Sequence, residues 1–227
     1  MLIGSLNYFF WSYQIFFVPL QAKTNKSITT TMKQQFLQLL RSTNRQGIEN
    51  VINWLEESDF FEAPASTMFH GNYAGGLLEH SMNVAIMAHD VHEMLCKRKP
   101  ALAEQVTRDN IIIAALLHDI CKANIYQKTT KYRKDENNAW ETYDTYGVDY
   151  SEFPVGHGEK SVIRLLQLGM QLTDDEILAI RWHMTAWELP FHSSEAKANL
   201  NAAKNKCPLL TIIQTADGLA SAILENK

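Results

Sequence analysis

After Met32, apolar residues return at helical spacing through most of the chain. Phe36, Leu37, Leu39 and Leu40 make one short amphipathic stretch, and Ile48, Val51, Ile52 and Leu55 make a second. Past a loop around Pro64, Gly75-Gly76 precede a long helix with His80, Val84, Met87 and Val91 along one stripe. Pro100 ends the connection after it. Asn110 to Ile120 is almost continuously apolar, and a helix hydrophobic on every side belongs at the centre of a core. His118 and Asp119 stand in its last predicted turn, so the most buried element carries the most polar pair. Such a conflict with packing is expected at functional sites.

Residues 124–156 break the pattern. The polar turn Asp135-Glu136-Asn137-Asn138, flanked by Tyr, Trp and Thr, predicts a hairpin or long flap. Helical spacing resumes at Gly156-His157-Gly158-Glu159-Lys160-Ser161, which leads into Val162, Ile163, Leu165 and Leu166. Thr173-Asp174-Asp175-Glu176 is a capping box, and its helix ends near Arg181-Trp182-His183. Pro208 suits the first turn of a last helix, in which Leu210, Ile213 and Asp217 share a face. The sum is an all-α fold: a compact helical bundle in one domain over residues 32–227, with a flap or hairpin insertion near 124–156. No internal repeat or low-complexity segment interrupts it.

The first twenty residues differ from everything after them. They contain no charged side chain, and aromatics crowd between Tyr8 and Phe17. The length permits a membrane anchor, but Asn7, Ser12, Gln14 and Pro19 interrupt the run, and no basic residue precedes it as in a signal peptide. A start extended upstream of Met32 and a packed extra helix are the other readings. Residues 21–31, rich in Thr, Ser and Lys, read as a linker.

Composition narrows the function. The 227 residues suffice for one domain with a substantial core; apolar residues are 46% and charged residues 20%. A net charge of -4 makes no basic field, so long nucleic acid is not an expected partner, whereas a local pocket for a small phosphorylated ligand is allowed. No membrane association is expected unless residues 1–20 are an anchor. Cys96, Cys121 and Cys207 are odd in number and widely spaced, which reads as reduced thiols in a cytoplasmic protein.

The chemistry lies in an ordered series: His80, His118-Asp119, His157, His183 and Asp217. A lone histidine in an apolar helix is more often a hydrogen-bonded core residue than a ligand. Here each member sits on a different predicted helix or at a helix start. A carboxylate such as Asp119 in a buried helix, or Asp217 in the apolar stretch Leu209 to Ile223, costs several kcal/mol unless compensated, and a metal ion compensates it. Imidazoles and carboxylates together suit Mn, Fe, Zn, Co, Ni or Mg, and facing helices can hold such ions.

The series resembles the HD superfamily of metal-dependent phosphohydrolases, whose pattern is His, then His-Asp, then a distant Asp, all on helices. Gly75-Gly76-Leu77-Leu78-Glu79-His80-Ser81 and Leu116-Leu117-His118-Asp119-Ile120-Cys121-Lys122 are similar to its first two motifs, and the resemblance covers about residues 70–225. It implies an HD-type bundle in which His80, His118, Asp119 and Asp217 ligate a first divalent ion. His157 and His183 resemble the extra ligands of dinuclear branches, with Asp119 bridging; in mononuclear relatives, residues of this region contact phosphate instead. Lys122 stands where a lysine often follows His-Asp, and could meet a substrate phosphate. Cys121 departs from the frequent Gly but removes no ligand.

Lys160 and Arg181 are further candidates for phosphate contact, and Trp140, Tyr143, Trp182 and Trp187 for a base or sugar pocket, with solvated helix faces and core packing as the alternatives. His70 is an outside candidate; His89, His92 and His192 read as structural or surface residues. The expected function is hydrolysis of a phosphomonoester or phosphodiester of a nucleotide-like small molecule by metal-activated water, with Asp119 and Lys122 catalytic. A di-iron oxygenase on the same scaffold and a non-catalytic nucleotide sensor are the alternatives. Substrate, ion count, metal identity and oligomeric state are not set by sequence pattern.

Overall fold

The computed structural model describes residues 25–190 and 192–225. The apolar leader, 1–20, lies outside the described residues. In chain order the helices are α1 (Asn25–Ser42), α2 (Ile48–Glu57), α3 (Gly76–Cys96), α4 (Leu102–Gln105) and α5 (Arg108–Leu117). A hairpin of β1 (Tyr126–Lys134) and β2 (Trp140–Val148) follows, then α6 (His157–Gln167), α7 (Asp174–Trp182), α8 (Ser194–Lys206) and α9 (Pro208–Leu219). Because α1 begins at Asn25, part of the stretch expected as linker is helical. Among the described residues no single helix is long and apolar enough to cross a membrane.

The centre is α5. Thr107 opens it with a capping box, its hydroxyl accepting from Asn110 N and the Asn110 side chain accepting from Thr107 N. Every residue from Ile111 to Leu117 is buried. α3 packs against α5 and α9, α7 against α5 and α9, and α6 lies on α7. The helix ends at Leu117, three residues short of the expected boundary at Ile120, so the His118-Asp119 pair sits in the turn that leaves the core. A 3-10 turn, Ile120–Lys122, then carries the chain outward.

The predicted capping box at Thr173 forms, and its Glu176 does more than cap. That carboxylate is fully buried, accepts both guanidinium arms of Arg45 at 2.6 and 2.8 Å, and accepts from Asn110 Nδ2 at 2.9 Å. One buried charge therefore ties the α1–α2 loop and the N-termini of α5 and α7 together. Elsewhere in the core, Phe36, Phe60 and Phe61 meet with ring centroids 5.4 to 5.6 Å apart.

The insertion is a regular antiparallel hairpin, with Tyr126 opposite Val148 at its root and Lys134 opposite Trp140 at its tip. Asp135 Oδ1 accepts from Asn137 N and Ala139 N, while Asn138 takes a φ of 64°, so the polar turn closes on itself. Helix α8 had no strong sequence signal: of its thirteen residues, only Leu200 and Ala203 are buried.

Candidate metal centre

The C-termini of α5 and α7 each deliver a histidine. His118 and His183 cap these helices and donate Nδ1–H to the carbonyl oxygens of Ala115 and Ile180, 2.7 Å away in both cases. The last carbonyls of a helix lack intrahelical donors. The caps satisfy them and at the same time assign the tautomer, leaving Nε2 as a lone pair facing away from the helix. His80, in the second turn of α3, reaches the same tautomer differently. Its Nδ1 donates to the Glu225 carboxylate at 3.0 Å, and Asn83 Nδ2 donates to that carboxylate at 3.0 Å as well. A carboxylate behind an imidazole fixes its orientation and raises its basicity as a ligand.

These three Nε2 atoms converge around Asp119. His80 Nε2 and His118 Nε2 are 3.3 Å apart and lie 3.6 and 3.4 Å from Asp119 Oδ2. Asp217 Oδ1, from the last turn of α9, is 3.4 Å from His80 Nε2. The other oxygen, Asp119 Oδ1, faces His157 Nε2 at 2.6 Å and His183 Nε2 at 3.6 Å. One carboxylate thus presents each of its oxygens to a different pair of imidazoles. All six residues of the sequence series fall in sets of three whose ligand-type atoms lie within 4.8 Å of one another.

Charge in the cluster is tightly coupled. Burial alone would favour a neutral Asp119, but the Lys122 ammonium, 2.7 Å from Oδ2, and the His118 and His157 rings hold its carboxyl well below the usual carboxylate range. Burial likewise opposes charge on His118, yet Asp119 and Asp217 outweigh it and raise its pKa. For His157 burial prevails over Asp119, and its pKa is lowered. Burial, with Asp119 next, pushes the Cys121 thiol up to about 12, which removes it as a nucleophile.

The donor set suits a divalent ion. His183 Nε2 is buried without a hydrogen-bond partner among the described residues. Two lone-pair nitrogens at 3.3 Å repel unless positive charge lies between them, and mixed imidazole and carboxylate ligands accept several first-row metals.

The remaining candidates are dispersed. Lys160 is buried in the first turn of α6, near enough to Cys121 to act on its thiol. Arg181 is held by Glu159 at 2.7 Å and Glu188 at 3.0 Å, and stacks on Trp182 at 4.0 Å. It lines a cavity of about 570 Å³ together with His157, Trp182, Glu159 and Glu188. Trp140 stands exposed at the hairpin tip beneath Lys134, and Tyr143 lies beneath Arg133. Along β2, at ~3.3 Å per residue, Trp140 lies about 26 Å and Tyr143 about 17 Å from the root at Val148. Trp187 is exposed as well. Of the other histidines, His92 is buried against Cys96, with Sγ 3.3 Å from Nε2. Sequence reasoning missed Glu225. Its one local signal is Asn83, which stands one turn after His80 on the same helix face and shares its partner.

The family model for the HD domain matches residues 77–222. A curated relative, the dihydroneopterin 2',3'-cyclic phosphate phosphodiesterase of Methanocaldococcus jannaschii, is 36% identical over 89 residues. That alignment covers 39% of this chain and 32% of the relative, so the match spans about a third of that protein. No solved structure matches. With the HD model covering well over half of the sequence, and with its His, His-Asp and Asp positions gathered in one buried cluster, the chain belongs to the HD domain family.

Proposed function

We propose that this protein is a phosphohydrolase with a two-ion site that cleaves a phosphodiester of a nucleotide-like small molecule. The observation that carries this reading is the division of Asp119: Oδ2 toward His80 and His118, Oδ1 toward His157 and His183. His80, His118, Asp119 and Asp217 would hold one ion, and Asp119, His157 and His183 the other. Bound there, such ions act as Lewis acids on phosphoryl oxygens and make water nucleophilic near neutral pH.

The chain's own groups supply the positioning. Asp119 spans both halves, and the helix caps keep His118 and His183 from rotating away. Lys122 lies beside Asp119 Oδ2, where its ammonium can meet a phosphate oxygen. The cavity beside His157 has the volume of a small-molecule pocket, and Arg181 and Trp182 in its wall support a nucleotide-sized substrate. The relative's name supports a cyclic phosphodiester as the first compound to test.

The test combines metal content with a substrate panel. Protein purified without chelator should carry about two ions per chain. It should hydrolyse 2',3'-cyclic nucleotides and bis(p-nitrophenyl) phosphate faster than p-nitrophenyl phosphate. Asp119→Ala should abolish activity and tight metal binding, and His157→Ala or His183→Ala should cost about one ion. A single ion per chain, unchanged in these variants, would overturn the two-ion reading; absence of phosphate ester hydrolysis by loaded protein would overturn the function.

A further inference from the structure

Gly71, Gly75 and Gly76 bring a fifth imidazole to the cluster. Gly71 has a φ of 57°, and a Cβ at Gly76 would stand 2.0 Å from the Gly71 carbonyl oxygen. Only a bare glycine there lets the His70-Gly71 turn lie on the first turn of α3, one turn before His80. The result is a contact between the His70 and His80 rings, with centroids 4.7 Å apart. The loop is held from both sides. Ser66 Oγ donates to His70 O at 2.8 Å, and Ala65 N to Gly71 O at 2.9 Å. From the hairpin, Tyr126 Oη donates to Ala65 O at 3.2 Å and Thr145 Oγ1 to Thr67 O at 3.0 Å.

So firmly placed a ring nonetheless leaves a polar atom unused. His70 Nε2 is buried and has no hydrogen-bond partner among the described residues. An unsatisfied buried nitrogen costs stability and calls for a partner that arrives from outside. A ring nitrogen of His70 comes within 4.8 Å of ligand-type atoms of His80 and Glu225, and Lys122 and Asp119 are close enough to act on the ring electrostatically. Glu225 is already engaged by His80 Nδ1 and Asn83 Nδ2, which leaves His70 for another acceptor.

We infer that His70 is a substrate-contact residue, whose imidazole donates a hydrogen bond to an oxygen of the phosphate group bound beside His80 and Lys122. This rests on the phosphohydrolase reading above and adds to it a residue outside the ligand series. His70 and Lys122 would then grip the phosphate from the α3 side, one by a directed hydrogen bond and one by charge.

The test measures inorganic phosphate binding by calorimetry to metal-loaded full-length protein, for wild type, His70→Ala and His70→Gln, with metal content and thermal melting taken on the same samples. The expected result is unchanged metal content in all three and a phosphate affinity about five- to tenfold weaker in His70→Ala, the size of one neutral hydrogen bond. His70→Gln, which keeps a donor, should recover part of that loss. Equal phosphate affinity in His70→Ala and wild type would overturn the inference, as would loss of a metal ion, which would make His70 a ligand. Wild-type protein that takes up metal but no phosphate would instead overturn the phosphohydrolase reading, and this inference with it.

Discussion

His80 Nε2 and His118 Nε2 approach to 3.3 Å while each ring commits its Nδ1–H elsewhere, to Glu225 and to Ala115 O, so positive charge, a proton or a metal ion, is needed between them. Helix-end and carboxylate hydrogen bonds thus leave a place for positive charge in the cluster, which a proton on His118 can fill when no metal is bound.

Metal should therefore stabilise the fold, beyond any effect on activity. At a hundredfold excess over Kd, each ion that binds only the folded chain contributes about 2.7 kcal/mol. For a chain of this size that is roughly 5–10 °C in Tm at ~2–4 °C per kcal/mol. Calorimetric melting with and without chelator measures this, and an unchanged Tm would remove the ions from the cluster.

Metal affinity should rise with pH. The Asp119 and Asp217 carboxylates outweigh burial and raise the His118 pKa, so the metal-free site holds a proton to higher pH than an ordinary histidine does. An ion must displace that proton. The apparent Kd should tighten as pH rises past the ordinary histidine value of ~6.5, with proton release on loading. Titration calorimetry in two buffers of different ionisation enthalpy reads the proton count, and zero protons released would contradict the assignment.

Gly158 lets α6 rest on the end of α7. A Cβ there would stand 2.3 Å from the Arg181 carbonyl oxygen, and the two helices carry the neighbouring cluster residues His157 and His183. Gly158→Ala should cost about 1–3 kcal/mol through overpacking. It should also weaken retention of one ion while leaving the His80 and His118 half loaded. Metal content against chelator concentration distinguishes this from global unfolding.

Arg45 is the sole guanidinium on the buried Glu176 among the described residues, and its removal strands a charge. Arg45→Met should destabilise by about 3–5 kcal/mol, whereas Arg45→Met with Glu176→Gln should recover much of that loss. Denaturant melts of the single and double variants give the coupling directly; additive losses would mean the pair is not acting as one unit.

Much of this protein was legible in one dimension because its signals are local. Helical periodicity, the Thr173 capping box and the polar turn at Asp135 each depend on residues within one or two turns of one another, and each formed where the pattern predicted. The ligand series was legible too, since histidines and aspartates in apolar helices are costly enough to stand out one at a time. What sequence left open involves pairs distant along the chain. No local pattern marks Glu225 as the partner of His80 or Arg45 as the partner of Glu176; the fold brings each pair together. Trp140 and Tyr143 read as pocket residues, but their positions along the strands carry them out along the hairpin. Sequence by itself determined most of the helices, the hairpin and the candidate metal-type side chains, because propensity and the cost of burying charge act locally. Only the tertiary structure decided which oxygen of Asp119 faces which imidazoles, and that His70 lies against His80 with a nitrogen unused, because those relations arise where separate helices pack.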